Sequence, residues 1–186
     1  MKEKTNEIEH ILQGCRQGNR NSQQKLYEHF YGYVLSICLL YTKSQEEAKE
    51  IMNDAFFLVF TKIDKYQSQA PLKAWIRRIV INTAIDHYRK KQALLAQLNY
   101  PTAPETSITE ELPMPKISPD EDLLPILREL SSAYRVVFNL YVIEEYSHQE
   151  IADLLGIDAR TSRSNLVRAK QKIRELMLKK NVIRSN

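Results

Sequence analysis

Apolar residues recur at every third or fourth position through most of the chain, with polar residues between them. This spacing places the apolar side chains on one face of an α-helix. It predicts helices over residues 4–17, from Ser22 onward, after Ser44, and from Leu72 to about Lys91. Alternating runs typical of strands are nearly absent, and the chain contains only four glycines. The sequence therefore predicts an all-α fold that begins with a compact helical bundle of about seventy residues.

The helical pattern disappears over residues 93–118, where proline, threonine, serine and glutamate replace the apolar period. Five of the seven prolines lie in or directly after this segment, which indicates an extended linker rather than a packed core. Residues 93–122 contain six acids and one base, so their net charge is −5; because the whole chain is +4, the remainder is +9. We expect two small helical domains, residues 1–92 and 119–180, joined by a flexible, acidic, proline-rich linker.

The helical pattern resumes near Asp120. Pro125 lies within this run and indicates either a kink or a later start of the helix. A further helix is expected to begin at Ser131 or Ser132, because either hydroxyl is suited to cap it.

Residues 146–180 have the pattern of two helices joined by a tight turn. Ser147 and Glu150 form a capping-box pair at the start of the first helix, and Gly156 permits the left-handed backbone that ends it. Asp158 is placed to cap a second, longer helix. This arrangement predicts a helix-turn-helix, whose second helix enters the DNA major groove.

The second helix of this pair is strongly basic. Between Ala159 and Lys180 there are eight basic residues and a single acid, Glu175. A polyanion such as DNA is the natural partner for such a surface. The alternative is a solvated basic face on an ordinary helical hairpin, and this feature alone leaves both interpretations open.

The helix over residues 72–91 combines aromatic and cationic side chains. Trp75 lies at its start, next to a loop that contains Tyr66, and the helix ends on the cations 89–91. Unpaired bases stack on aromatic rings while cations follow the phosphates, so this combination is typical of single-stranded nucleic-acid binding. The alternatives are that Trp75 is a core residue and that Asn82 is a solvated side chain.

The helix after Ser44 has an acidic edge, which includes Glu50, Asn53 and Asp54. Three phenylalanines lie between residues 56 and 60 and cannot all turn inward. An acidic edge with exposed aromatic bulk predicts a protein-docking face. The alternative is an amphipathic helix with one oversized apolar stripe.

No arrangement of residues indicates catalysis or metal binding, and we expect no enzymatic activity, metal or cofactor. The four histidines are scattered, and there is no phosphate-cradling glycine loop or nucleophile elbow. Cys15 and Cys38 have no framework or metal spacing, so we interpret them as buried thiols in a reducing cytoplasm. The N-terminus lacks the apolar core of a signal peptide, and no apolar run approaches the ~20 residues of a membrane span. These features predict a soluble cytoplasmic protein without membrane insertion.

Three segments carry a resemblance to a known family: AKEIMNDAFFLVF at 48–60, KAWIRRIVINTAIDHYRKK at 73–91, and SHQEIADLLGI followed by TSRSNLVRAKQKIRE within 147–175. They resemble RNA polymerase sigma factors of the extracytoplasmic-function (ECF) group. The resemblance covers about residues 22–92 and 119–178. It implies a sigma region 2 bundle and a C-terminal region 4 helix-turn-helix, which together direct promoter-specific transcription initiation as an alternative sigma factor.

The resemblance also implies roles for individual residues. Binding to the clamp helices of the polymerase β′ subunit is expected of Glu50, Asn53, Asp54 and Phe57. Opening of the −10 element and capture of flipped-out bases is expected of Tyr66, Trp75, Asn82, Arg89, Lys90 and Lys91. Reading of the −35 element is expected of Arg160, Thr161, Arg163, Ser164 and Arg168.

The implied partners are core RNA polymerase, including its β flap, promoter DNA and an anti-sigma factor. The chain is expected to be a monomer in the holoenzyme, with its acidic linker directed toward the RNA exit path. No cofactor and no catalytic residue are implied, because the polymerase performs the chemistry.

Four positions depart from the family pattern. Glu50 and Asn53 stand where Asp and Gln are usual, Ser162 stands for a common Val, and Asn165 stands for a common Arg. A helix-turn-helix usually buries an apolar side chain at the position of Ser162, so looser packing is expected there. Asn165 either removes a phosphate contact or reads an adenine edge.

Two other classes of protein remain open from the sequence. A helix-turn-helix repressor or activator would bind a two-fold-symmetric site as a dimer, with residues 1–92 as a sensor or oligomerisation domain. No dimerising heptad is visible, and the basic helix 72–91 would have no role in such a protein. A regulatory protein that sequesters a partner through the phenylalanine face would leave the second helix of the helix-turn-helix unused.

Overall fold

The computed structural model describes residues 2–67, 69–98 and 123–184, and these residues form helices and turns without a strand. The predicted all-α fold is confirmed. The helices in order are α1 (Lys2–Arg16), α2 (Arg20–Tyr41), α3 (Gln45–Thr61), a 3₁₀ turn (Ile63–Lys65), α4 (Leu72–Gln97), α5 (Leu123–Glu129), α6 (Ser132–Phe138), a π-helical turn (Asn139–Ile143), α7 (His148–Leu155) and α8 (Ala159–Arg184).

Several helix boundaries differ from the prediction, and α1 spans Lys2–Arg16 rather than residues 4–17. Helix α2 begins at Arg20 rather than Ser22, because the Asn19 side-chain oxygen accepts a hydrogen bond from the Ser22 backbone N–H at 3.1 Å. Helix α4 continues to Gln97, beyond the predicted end at Lys91. The predicted linker therefore begins inside α4, and the rest of it, from residue 99, lies outside the described residues.

The contacts divide the chain into two compact units: residues 1–39 with 44–84, and residues 40–43 with 85–186. The core of the first unit is made of apolar side chains from α1 to α4 and the 3₁₀ turn. Its most completely buried members include Leu12, Leu26, Val34, Ile37, Ala48, Met52, Ala55, Ile63, Ile76 and Val80. Burying a large aliphatic side chain stabilises the fold by about 1.5–3 kcal/mol, so this shared core holds the helices together.

Helices α1 and α2 approach each other closely at Gly14. A side chain at this position would place its Cβ 2.0 Å from the Ser22 hydroxyl oxygen. Gly18, between the two helices, adopts a left-handed conformation with φ of 72°, which favours glycine. These two positions allow α1 to fold back onto the bundle.

The core of the second unit forms where α5, α6 and α7 pack around α8. Apolar residues on these helices and on the π-helical turn are buried, including Leu127, Leu130, Val136, Val137, Phe138, Leu140, Ile151, Ala169 and Ile173. Pro125 lies in the first turn of α5, where its missing N–H removes no helical hydrogen bond. The predicted start near Asp120 lies outside the described residues.

Arg135 is a charged residue in this second core, and it is only 1% exposed. Its Nε donates to the Leu127 carbonyl at 2.9 Å, and its Nη2 donates to the Leu130 carbonyl at 2.8 Å. The last carbonyls of a helix lack intrahelical partners, and the guanidinium provides them at the end of α5. Ser131 caps α6 by accepting a hydrogen bond from the Tyr134 N–H, as one of the two predicted alternatives required.

Among the described residues, no helix is both long enough and apolar enough to cross a membrane.

Candidate nucleic-acid interfaces and docking face

The start of α7 has the capping geometry that the sequence predicts. The Ser147 hydroxyl accepts a hydrogen bond from the Glu150 N–H at 3.2 Å, and the Glu150 carboxylate accepts one from the Ser147 N–H at 2.8 Å. The Ser147 hydroxyl and backbone hydrogen bonds lower the pKa of Glu150. Gly156 ends the helix with φ of 68°. The predicted helix-turn-helix is confirmed, with α8 as its second helix.

Ser162, four residues into α8, is completely buried. Its hydroxyl lies 2.9 Å from Nδ1 of His148, the first residue of α7. The His148 ring in turn stacks on Tyr141 of the π-helical turn, with ring centroids 4.5 Å apart. The expectation of loose packing at Ser162 is wrong, because a polar pair occupies the crossing of the two helices in place of an apolar contact.

The first turns of α8 present the residues predicted for the −35 element. Arg160 and Arg163 are exposed, and Thr161 and Ser164 are half-buried. The Ser164 hydroxyl donates to the Thr161 carbonyl at 3.0 Å, which fixes its orientation. Arg160, Arg163 and Ser164 have helical spacing and share one face of α8. This face carries positive charge at the end of α8 that a helix-turn-helix inserts into DNA.

Arg168 lies further along α8 and is half-buried. Its Nη1 donates to the Tyr134 hydroxyl on α6 at 3.4 Å. This contact ties the guanidinium to the body of the unit while leaving the residue partly accessible. No pattern in the sequence marks this contact, because Tyr134 and Arg168 are 34 residues apart.

Helix α4 presents an exposed polar face along its length. Asn82 and the three cations Arg89, Lys90 and Lys91 are exposed. Trp75, Asn82 and Arg89 are seven residues apart, which is about two helical turns, so they lie on the same side at steps of roughly 10 Å. We call this row, with Lys90 and Lys91, the α4 face.

Trp75 is half-buried rather than fully in the core. Its ring packs against the ring of Tyr66, with centroids 5.3 Å apart and an angle of 50° between the planes. Tyr66 itself is only 8% exposed, and its hydroxyl donates to the Ala70 carbonyl at 2.8 Å. Tyr66 therefore supports its loop in this structure and offers almost no free surface on which a base could stack.

Helix α3 exposes one edge that contains all four residues predicted for docking. Glu50, Asn53, Asp54 and Phe57 are exposed, and their spacing places them along one face. We call these four residues the α3 edge. Phe57 is 67% exposed, whereas Phe56 is buried in the core. The prediction that the phenylalanines cannot all face inward is confirmed, and Phe57 is an exposed aromatic beside two carboxylates.

Within the described residues, no group of three histidine, cysteine or acidic side chains is placed to hold a metal ion. Cys15 and Cys38 are buried, as predicted, and neither forms a disulfide with another described residue. Burial raises the pKa of Cys15, and it raises the pKa of Cys38 to about 12. Both thiols are therefore protonated and unreactive at neutral pH.

Two models of one protein family match this chain, each over a different stretch. Residues 26–94 match sigma-70 region 2, and residues 120–173 match sigma-70 region 4. The first match contains the α3 edge and almost all of α4, and the second contains the helix-turn-helix. The chain belongs to the sigma-70 family of RNA polymerase sigma factors.

Similar proteins define the group within this family. The ECF RNA polymerase sigma factor SigW of Bacillus subtilis (strain 168) is 24% identical, over 90% of this chain and 95% of SigW. The RNA polymerase sigma factor YlaC of the same strain is 26% identical, over 90% of this chain and 95% of YlaC. These matches place the chain in the ECF group, as the resemblance implied.

Two solved structures are also similar. CnrH, in complex with the cytosolic domain of CnrY, is 19% identical with a TM-score of 0.45, over 90% of this chain and 94% of CnrH. The sigma factor RpoE of Bartonella quintana, in complex with the anti-sigma factor NepR, is 18% identical with a TM-score of 0.47, over 83% of this chain and 95% of RpoE.

As an ECF sigma factor, the chain is an alternative sigma factor that directs promoter-specific transcription initiation. It acts with core RNA polymerase and promoter DNA. Proteins of this family are initiation factors rather than enzymes.

Proposed function

We propose that three surfaces of this chain have separate roles in transcription initiation. The α3 edge docks on core polymerase, the α4 face opens and holds the −10 element, and the first turns of α8 read the −35 element. The two promoter surfaces belong to residues 1–92 and 119–180, and the part of the predicted linker that follows α4 would tether them. The observation that carries the proposal is that each surface is exposed and chemically suited to its partner, within a matched sigma region.

For the −35 element, α8 offers two exposed guanidiniums at its leading end. An arginine in the major groove donates a pair of hydrogen bonds to O6 and N7 of guanine, the commonest specific contact of this kind. Arg160 and Arg163 are both exposed in the first turns of α8. Thr161 and Ser164 offer shorter hydroxyl contacts to bases or phosphates. Arg168, held by Tyr134, is placed to contact a phosphate rather than a base.

For the −10 element, the α4 face combines a half-exposed ring, an exposed amide and a cluster of cations. A flipped base stacks on an aromatic surface, which Trp75 provides, and the amide of Asn82 can hydrogen-bond a base edge. Arg89, Lys90 and Lys91 neutralise the phosphates that follow. Bases held in this way stabilise the melted state, so opening is favoured by capture and needs no chemical fuel. Tyr66 supports Trp75 and is not assigned a base contact.

For core polymerase, the α3 edge supplies one aromatic anchor and a surrounding acidic rim. Aromatic side chains at the centre of an interface commonly contribute much of the binding free energy. Phe57 is suited to this role because it is exposed although the core lies directly beside it. Glu50 and Asp54 complement a basic partner surface, for which we propose the β′ clamp helices. The C-terminal unit would contact the β flap.

The remaining assignments follow from the same function. The chain acts in the cytoplasm, where polymerase and promoters are found, as a monomer in the holoenzyme and without catalytic activity or cofactor of its own. The acidic linker, with a net charge of −5 over residues 93–122, is suited to a path that a polyanionic transcript later fills. An anti-sigma factor would silence the chain by covering the docking and DNA surfaces.

Permanganate footprinting tests the division of labour, because permanganate oxidises unpaired thymines. A holoenzyme made with the wild-type chain should give reactive thymines at the −10 element and, in a parallel DNase I footprint of the same complex, protection of the duplex −35 element. Asn82→Ala should reduce the −10 reactivity and leave the −35 protection in place, whereas Arg163→Ala should do the reverse. Equal loss at both elements in each variant would contradict separate surfaces.

A further inference from the structure

Helix α1 lies outside both matched sigma regions, yet it packs against the segment that leads into α4. One of its faces is buried in the core of the first unit, and Leu12 is almost completely enclosed. The helix contacts the 3₁₀ turn Ile63–Lys65, which comes directly before Tyr66. Helix α4 begins at Leu72, only a few residues after this turn. Contacts made by α1 can therefore affect the position of Trp75, the first residue of the α4 face.

Tyr66 is tied at several points to the backbone around it. Its N–H donates to the Ile63 carbonyl at 3.1 Å, which closes the 3₁₀ turn. Its hydroxyl donates to the Ala70 carbonyl at 2.8 Å, which joins the two ends of the short segment before α4. Its carbonyl accepts a hydrogen bond from Nη2 of Arg16 at 3.5 Å. Tyr66 therefore links α1, the 3₁₀ turn and the start of α4.

Arg16 is the last residue of α1 and is held on its other side by Glu9. The distance between Arg16 Nη1 and the Glu9 carboxylate is 3.6 Å. The guanidinium is partly buried where it meets the Tyr66 carbonyl. Arg16 as a whole is exposed and the 3.5 Å distance is long for a hydrogen bond, so the positive charge on the donor is what strengthens this contact.

The Tyr66 ring in turn contacts the Trp75 ring and helps to fix its position. The centroids of the two rings are 5.3 Å apart. The backbone N–H of Trp75 donates to the Pro71 carbonyl at 3.2 Å in the first turn of α4. Because Tyr66 covers one side of Trp75, any shift of Tyr66 moves the ring or uncovers it. Trp75 is the aromatic member of the α4 face.

We propose that α1, acting through Arg16 and Tyr66, is a positioning element that sets how strictly the −10 bases are discriminated. Neither residue contacts DNA in this proposal, which rests on the proposed function of the α4 face. They hold Tyr66, Ala70 and the Trp75 ring in place before a base arrives. A surface that is ordered in advance loses less conformational entropy on binding and rejects ill-fitting bases more strictly.

The test measures run-off transcription by reconstituted holoenzyme on a promoter selected by the wild-type chain and on a copy with one changed −10 base. The variants are Arg16→Ala, Arg16→Lys and Tyr66→Phe, which keeps the ring but removes the hydroxyl. Arg20→Ala is the matched control, because Arg20 is an exposed arginine on the neighbouring helix. Asn82→Ala serves as the comparison for direct contact. Core affinity, −35 discrimination and thermal unfolding are measured for every variant.

We expect Arg16→Ala and Tyr66→Phe each to lower the ratio of matched to mismatched transcript roughly two- to tenfold, the effect of one net hydrogen bond. Arg16→Lys, which keeps a cationic donor, should recover part of the loss, and Arg20→Ala should match the wild type. Core affinity and −35 discrimination should be unchanged, which separates positioning from a general loss of stability.

Two results would overturn the proposal in distinguishable ways. If Asn82→Ala lowers the ratio but Arg16→Ala and Tyr66→Phe do not, the α4 face reads the −10 element and the positioning role of α1 is wrong. If Asn82→Ala also leaves the ratio unchanged while the wild type discriminates, the assignment of the α4 face is itself wrong. A fall in −35 discrimination equal to the fall at the −10 element would show a structural role only.

Discussion

The contact between Ser162 and His148 makes a specific prediction about how the helix-turn-helix is held together. The Ser162 hydroxyl is fully buried at the crossing of α7 and α8 and lies 2.9 Å from His148 Nδ1. A typical hydrogen bond contributes about 0.5–1.5 kcal/mol, and removing one partner leaves the other unsatisfied at a cost of about 1–3 kcal/mol. We therefore expect Ser162→Ala to lower the free energy of unfolding of the second unit by about 1–2 kcal/mol.

The reciprocal change is His148→Phe, which keeps a ring to stack on Tyr141 but cannot pair with the hydroxyl. It should lower the free energy of unfolding about as much as Ser162→Ala does, because it leaves the buried Ser162 hydroxyl without this hydrogen-bond partner. Replacing both partners by apolar groups removes that penalty. The double variant should therefore lose about 1 kcal/mol less than the sum of the two single variants.

Denaturant unfolding of the full chain can measure this coupling. Far-UV circular dichroism follows both units, whereas Trp75 is the only tryptophan and reports on the first unit. The substitutions should shift the part of the circular-dichroism transition that tryptophan fluorescence does not follow. Additive effects, with a coupling below about 0.3 kcal/mol, would refute the idea that this hydrogen bond secures α8.

Four further predictions concern the α3 edge, helix α8 and the core of the first unit. Phe57→Ala should weaken binding to core polymerase by about 1–2 kcal/mol in a competition assay, because it removes the exposed aromatic side chain of the α3 edge. The control is Leu94→Ala, which removes an apolar side chain on α4 that is 57% exposed, and it should have no effect. Arg163→Ala should reduce discrimination between −35 sequences by about 1–3 kcal/mol, and unchanged discrimination would exclude a base contact. Arg168→Ala should instead weaken all sequences evenly and flatten the salt dependence of binding. Because burial raises the pKa of Cys38 to about 12, its thiol stays protonated at mildly alkaline pH. Cys38 in the native protein should therefore resist alkylation and react only after unfolding. Rapid labelling of Cys38 in the native chain would contradict its burial.

Features set by local chemistry were predictable from the sequence. The capping pair Ser147 and Glu150, and the left-handed Gly156, depend only on residues within one turn of each other. The exposure of Phe57 followed from the limited width of an apolar helix stripe, which cannot accommodate every phenylalanine. The order of the helices along the chain was predictable too, because the apolar spacing that marks each helix is also local.

Features that depend on tertiary contacts were not predictable. The pairing of Ser162 with His148 arises only when α7 crosses α8, and no periodicity in the sequence marks it. The resemblance implies that Tyr66 acts at the −10 element, but no pattern in the sequence indicates that the folded chain leaves it only 8% exposed. The extension of α4 to Gln97 was missed because its last turns have no buried stripe.

Run-off transcription with purified core RNA polymerase tests the central claim most directly. Core polymerase is incubated with a pool of promoter fragments, with and without the full chain, and the transcripts are mapped. We expect discrete new transcripts only when the chain is present, with start sites that share two upstream elements, and no stable binding of the free chain to the same DNA. Binding to DNA without core polymerase and without any new transcript would contradict initiation and favour a stand-alone helix-turn-helix regulator.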